Sequence, residues 1–293
     1  MKLVFCILLF HFTSCLYGQD SQAMDSLSKV LEKIYYDDQG PRQKIISLQK
    51  EFGYSSGEVR KQAELIQQID SVNTIIVSKI IDKYGWLAPP QISDTANWTL
   101  FLVIQHADEK TQLKYIETIK IAAKTGKTKK PYDYALLLDR TNLKQGKFQE
   151  YGSQLSTSFS GKNVFDPIRN ELNVNKRRKL VGLATMEEYS RFFNVTYILP
   201  ERDLYKNCYV LKGYVHDTTN KPLQNVSITI DGKFVAKTDE DGYYIIALKN
   251  KLKIAKIQYI IQGFNDELFT FEKEGEKDIY EKYVWLRENK AGL

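Results

Sequence analysis

The chain has 293 residues, a formal net charge of +6 and three cysteines. That length supports two domains with proper cores, and so few cysteines exclude a disulfide-rich scaffold. Its basic runs, Lys127-Thr-Lys-Lys130 and Lys176-Arg-Arg-Lys179, are not interleaved with stacking aromatics, which argues against nucleic acid as a partner.

Met1-Lys2 is a short positive start, and Leu3 to Phe12 is an apolar run too short to span a bilayer as a mature helix. Small and polar residues follow through Gly18-Gln19. The pattern predicts a signal peptide over residues 1–18 and an exported, periplasmic or secreted protein. A second processing route competes with it. Phe12-Thr13-Ser14-Cys15 is similar to a lipoprotein box, with Phe12 where Leu is usual. Cys15 would then carry a lipid anchor and the product would be an outer-membrane lipoprotein. No later apolar run is long enough for a transmembrane helix. Soluble processing leaves Cys208 alone, and its place at the start of a strand favours a half-buried structural thiol over a nucleophile.

From Met24 to about Phe193 the periodicity is mainly helical. Met24–Tyr36 and Arg42–Phe52 carry apolar residues at three- and four-residue steps. Gly57 to Tyr84 is longer, with Leu65, Ile69, Val72, Ile76 and Ile80 as one stripe, and Gly85 ends it. Asp94 can cap a helix through Trp98–Ile104 that is apolar on all sides, so it should be central. Lys110–Lys124 and Tyr134–Leu143 are further helices. Gly152–Asn170 reads as short extended pieces and turns, followed by helices at Asn175–Val181 and Met186–Phe193.

The last third changes period. Tyr214, Val215, Val226, Ile228 and Ile230 are β-branched or aromatic, while Asn220-Lys-Pro222, Asp231-Gly232 and Asp241-Gly242 are turn chemistry. More strands are expected at Ile254–Tyr259, Glu267–Phe271 and Tyr280–Leu286. The predicted architecture is multidomain α+β: a mostly α-helical domain over 19–203, then a small all-β sandwich over 204–293. Gly213-x-Val-x-Asp217, Lys221-Pro-Leu-x-x-Val226 and Thr238-Asp-x-Asp-Gly-x-Tyr244 resemble the carboxypeptidase regulatory-like domain, a prealbumin-like sandwich. The resemblance implies a non-catalytic module. Asp217, Asp239 and Asp241 imitate metal ligands, but turn residues capping the backbone are the expected reading.

Polar residues attached to the most apolar segments are the chemical candidates, because burying them without partners is costly. His106, the only histidine of the helical body, sits with Asp108 where the most apolar helix ends. Asp139-Arg140 follows Ala135-Leu-Leu-Leu138, and Tyr151-Gly-Ser-Gln154 is a polar segment with a glycine hinge. His106, Asp108 and Asp139 could form a general acid/base group. Arg140, Tyr151, Gln154, Arg177 and Arg178 could bind a carboxylate, phosphate, hydroxyl or amide. The competing reading is a buried polar network that specifies the fold. Metal ligands and cofactors are not expected, since one histidine and no cysteine pair do not make a zinc site and no phosphate loop is present. The nineteen tyrosines suit strand surfaces and helix gaps, or a carbohydrate-binding face.

Lys83-Tyr-Gly-Trp-Leu87, Ala96–Asp108, Leu138-Asp-Arg140, Gly146-Lys-x-Gln149, Tyr151-Gly-Ser-Gln154, Asp166-Pro-Ile168 and Val174-Asn-Lys-Arg-Arg178 resemble, in order, an uncharacterised bacterial family, domain of unknown function 6624. That likeness implies no activity. Two classes stay open: an envelope binding or scaffold protein whose partner is a protein or glycan, and an envelope hydrolase acting on glycan or peptide with His106 as acid or base.

Overall fold

The computed structural model describes residues 4–158, 160–249 and 252–289, with side chains from residue 22 onward. The side chains of the expected signal peptide, Cys15 included, lie outside that description. The chain divides into two compact units, Met1–Leu137 and Leu138–Leu293. The division falls inside a helix, and residues 138–203 group with the strands that follow rather than with the preceding helices.

The first unit is helical: α1 (Val4–Phe52), α2 (Gly57–Tyr84), α3 (Asp94–His106), α4 (Glu109–Lys124) and the start of α5 (Asp133–Lys144). Local chemistry sets the ends. Ser56, Ser93 and Asp108 each accept a backbone N–H in the first turn of α2, α3 and α4. Gly85 closes α2 at φ 72°. Leu100, Ile104, Leu31, Val77 and Ile119 are fully buried in the core of this unit, so α3 is central, as its all-round apolar pattern predicts. No described helix is long and apolar enough to cross a membrane.

Two expectations change here. Met24–Tyr36 and Arg42–Phe52 form one helix with Pro41 inside it. Pro41 costs one helical hydrogen bond, and packing of α1 on α2 and α3 outweighs that loss; Gln62 of α2 donates to the Pro41 carbonyl at 3.1 Å. The apolar stripe of α2 is rotated from the expected one. Its buried residues are Val59, Gln62, Asn73, Val77, Ile80 and Ile81, while Leu65 and Val72 are exposed.

The second unit begins with the rest of α5. A two-stranded antiparallel ribbon follows, β1 (Leu155–Thr157) with β2 (Asn163–Phe165), then α6 (Val174–Leu180) and α7 (Met186–Arg191). Thr185 and Glu188 form a capping box at α7. Eight strands complete the chain: β3 (Cys208–Asp217), β4 (Ser227–Ile230), β5 (Lys233–Lys237), β6 (Tyr243–Lys249), β7 (Ile254–Ile260), β8 (Glu267–Glu272), β9 (Ile279–Glu281) and β10 (Val284–Leu286). One sheet runs β10-β3-β6, with β9 also parallel to β3; the other runs β5-β4-β7-β8. Val215, Tyr244, Leu248 and Leu286 of the first sheet share a core with Ile228, Ile257, Tyr259 and Phe271 of the second, which makes the sandwich. The chain is thus multidomain α+β, helices first and sheets last.

Asp231 (φ 48°) and Gly232 (φ 76°) make the β4–β5 turn. Asp241-Gly242 joins no hairpin, because β5 and β6 lie in different sheets. Asp217 accepts the N–H groups of Thr219 and Lys221, and Asp239 those of Asp241 and Tyr243. These carboxylates cap turns, as expected.

Candidate functional site

In the first unit His106 ends α3, and its partner was invisible to sequence reading. Nδ1 of His106 lies 3.0 Å from Oδ1 of Asp38 on α1. Arg42, one turn along α1, donates to Asp38 at 3.3 Å and also pairs with Asp70 of α2. The result is a chain of four groups, Asp70–Arg42–Asp38–His106, drawn from three helices. Asp38 is buried and His106 is 16 % exposed at its side chain. Burial alone would push the Asp38 carboxyl up, but hydrogen bonds and charge from His106 and Arg42 outweigh it and hold the carboxyl at about 2. Asp70 goes the other way, raised by burial despite Arg42. Donor atoms of Asp38, Asp70 and His106 fall within 4.8 Å of one another, so these three residues could hold a metal ion. The Arg42 guanidinium already supplies positive charge to both carboxylates.

Beside this chain, α1 and α2 form a groove of about 460 Å³ lined by Tyr36, Pro41, Leu65, Ile69, Val72 and Asn73. Tyr36 is 70 % exposed and Val72 57 %. Asp108, expected beside His106 as a second carboxylate, instead caps α4, accepting Thr111 N–H at 2.8 Å.

The other sequence-derived candidates lie in the second unit, where five of them converge on residues 149–154. Asp139 is fully buried. Its oxygens accept the N–H groups of Glu150 at 2.7 Å, Tyr151 at 3.0 Å and Ser153 at 2.9 Å. Burial pushes the Asp139 carboxyl above its ordinary value, and those three donors oppose the shift. Gln149, also buried, donates to the carbonyls of Gln154 and Asp166 and accepts Gln154 N–H at 2.7 Å. Arg177 donates to the Glu150 carbonyl at 2.7 Å and to that of Asn170 at 3.1 Å. Arg178, 1 % exposed, donates to the Tyr151 carbonyl at 2.7 Å and lies 4.7 Å over the Tyr189 ring. Gly152 has φ 64°, and a Cβ there would meet Ile168 at 2.6 Å and Met186 at 2.8 Å, so the glycine in Tyr151-Gly-Ser-Gln154 serves close packing. Arg140 stands next to Asp139, and its charge reaches the Tyr189 hydroxyl. The charges expected to bind a ligand here are largely spent on backbone groups.

A second buried charge cluster escaped sequence reading. Lys212 of β3 is 5 % exposed. Its ammonium pairs with Asp166 and with Glu281 at 2.9 Å, and lies 3.3 Å from Ser156 Oγ. Burial would lower the Lys212 pKa, but the two carboxylates outweigh it and raise it. Lys212 thus stands beside Ser156 already paired with two carboxylates. The cluster opens on a cleft of about 640 Å³ walled by Phe269, Phe271 and Tyr280. A lysine inside a strand otherwise buried on both faces was the signal that could have revealed it.

Parts of the chain are similar to parts of several solved structures. The Bacillus anthracis TIE protein is 26% identical over 28% of this chain and 17% of its own, at TM-score 0.23. A streptococcal ancillary pilin is 10% identical over 32% and 36%, at 0.22. The 3-chlorocatechol 1,2-dioxygenase of Rhodococcus opacus 1CP is 11% identical over 30% and 62%, at 0.20. The chain therefore spans less than two thirds of each of these proteins. No curated protein matches it. Residues 26–201 match DUF6624, a family of unknown function, and the chain belongs to that family.

Proposed function

We propose that this is an exported cell-envelope protein of binding or scaffold type, with a helical partner-binding region and a non-catalytic, carboxypeptidase regulatory-like sandwich. The observation that carries the reading is the state of Asp139. A carboxylate that orients a catalytic imidazole or takes a proton needs a free oxygen, and this one is buried with three backbone donors on it. Arg177 and Arg178 also bond to backbone carbonyls, with only the buried Nη2 of Arg178 left without a partner. The exposed apolar groove on α1 and α2 is the kind of surface that receives a partner. Export rests on the apolar run Leu3–Phe12 and the polar residues after it.

One observation favours the hydrolase reading: Asp38 can fix the tautomer of a partly exposed His106. The test is His106→Ala in the full chain, assayed for folding and for binding and turnover of envelope glycans and peptides. Absent turnover by both proteins fits a binding protein. Turnover by the unaltered chain, lost in a folded variant, fits a hydrolase.

A further inference from the structure

The face of the β10-β3-β6 sheet turned away from the sandwich core carries an array of aromatic rings. In the parallel pairing of β3 with β10, His216 stands opposite Trp285 and Val215 opposite Val284. Strand alternation then sends Val215, Val284 and Leu286 into the sandwich core and sets Tyr214, His216, Tyr283 and Trp285 together on the other face. Their ring centroids form a nearly square grid. Tyr214 and His216 are 6.1 Å apart, Tyr214 and Tyr283 5.9 Å, His216 and Trp285 6.2 Å, and Tyr283 and Trp285 6.4 Å. Neighbouring planes differ by only 24–30°. Tyr243 of β6 extends the row from Tyr214, at 5.2 Å.

The inner pair is buried, while Tyr283 is 43% exposed and Trp285 49%. Trp285 is held in place: its Nε1–H donates to Asn220 Oδ1 at 3.0 Å. Two adjacent, oriented, exposed aromatic rings on a sheet face need a reason, since water is a poor neighbour for both.

A pocket of about 190 Å³ adjoins the array and shares Tyr214, Tyr243 and Tyr283 with it. Besides the tyrosines, its polar side chains are Ser156, Thr157, Lys212 and Glu281. The volume is below the roughly 300–1,000 Å³ of drug-sized sites, which suits a single ring-sized unit. Around Lys212 the charges are one ammonium against the two carboxylates of Asp166 and Glu281. An anionic ligand is therefore disfavoured, and a neutral one rich in hydroxyl groups is favoured. Glu281, half exposed at its side chain, can accept hydroxyl protons.

From these features we infer that the Tyr283–Trp285 face and the Tyr214–Tyr243–Glu281 pocket form a binding site for a neutral saccharide. A pyranose ring has an apolar C–H face that stacks on aromatic rings and a rim of hydroxyls that hydrogen-bond to mixed polar groups. This site lies on the sandwich, with Ser156 and Thr157 of β1 at its rim, and does not depend on what the helical groove binds.

The test is affinity electrophoresis of the full chain through gels holding neutral β-linked glucan or glucomannan. Calorimetric titration with hexameric glucose and N-acetylglucosamine oligosaccharides accompanies it. The unaltered chain should be retarded and should bind a hexamer. Trp285→Ala and Tyr283→Ala should each weaken binding tenfold or more with unchanged thermal midpoints. Trp285→Phe should retain part of the affinity, Glu281→Gln should weaken it several-fold, and Tyr54→Ala, at an exposed tyrosine of the helical unit outside the groove, should leave it unchanged. No binding to any of these saccharides would overturn the inference. So would binding indifferent to Trp285 and Tyr283, or a Trp285-dependent preference for an extended peptide or single-stranded DNA.

Discussion

The His106 imidazole and the Asp38 carboxylate meet at 3.0 Å across 68 residues of chain. Asp38 is buried, and His106 and Arg42 both lower its pKa. A buried carboxylate that loses a charged donor keeps its desolvation cost. Asp38→Ala should destabilise the chain by about 3 kcal/mol, because it takes the carboxylate from His106 and leaves Arg42 with Asp70 alone. His106→Ala should cost less, about 1–2 kcal/mol, because Arg42 remains. Urea unfolding followed by circular dichroism measures both.

The same pair sets an acid limit. A carboxyl held at about 2 instead of 3.8 is depressed in the folded state. Its contribution is present above the unfolded value and is lost as pH falls from about 4 towards 2, amounting to about 2 kcal/mol. The stability gap between the unaltered chain and Asp38→Asn should therefore shrink over that window in thermal melts.

Asp133 works in the opposite sense. It is 1 % exposed, one of its oxygens has no partner, and burial pushes its carboxyl up to about 7. A raised folded value means that stability is fully present below about 4 and is lost as pH rises from there to about 7. Asp133→Asn should raise the melting temperature at pH 8 and change it little at about pH 4.

Much of this was legible in the chain, and the limits have physical causes. The helical body, the central α3 and the sheets announce themselves through period, caps and turn residues, which act over a few positions. The α2 stripe misleads because Gln62 and Asn73 are buried while Leu65 and Val72 face the groove; tertiary packing chose a face that hydrophobicity alone would not. Asp139, expected with His106 and Asp108, lies instead with Tyr151, Gln154, Arg177 and Arg178, which were expected to bind a ligand. Their partners are backbone amides and carbonyls, which leave no trace in side-chain identity. Asp38 and Asp70 lie far from His106 in sequence, and nothing local marks them.

Asp139 is the centre of that group. Removing its acceptors leaves three N–H groups without their partner, that of Ser153 buried and those of Glu150 and Tyr151 half-buried. Asp139→Ala should cost about 3–5 kcal/mol, and Asp139→Asn less, since one oxygen still accepts. Chemical denaturation ranks the two.

Gly213 tests the sandwich. A Cβ there would lie 1.9 Å from the Lys282 carbonyl oxygen, so the strand cannot accept a side chain without moving backbone. Gly213→Ala should destabilise the chain by about 1–3 kcal/mol, read from the thermal midpoint.

The central claim is that the polar residues of this chain build and bind rather than catalyse. Its most direct test is turnover of envelope glycans and peptides by the full chain beside His106→Ala. The account predicts no turnover above buffer from either protein. Turnover by the unaltered chain that disappears in His106→Ala, with the fold of that variant intact, would contradict it.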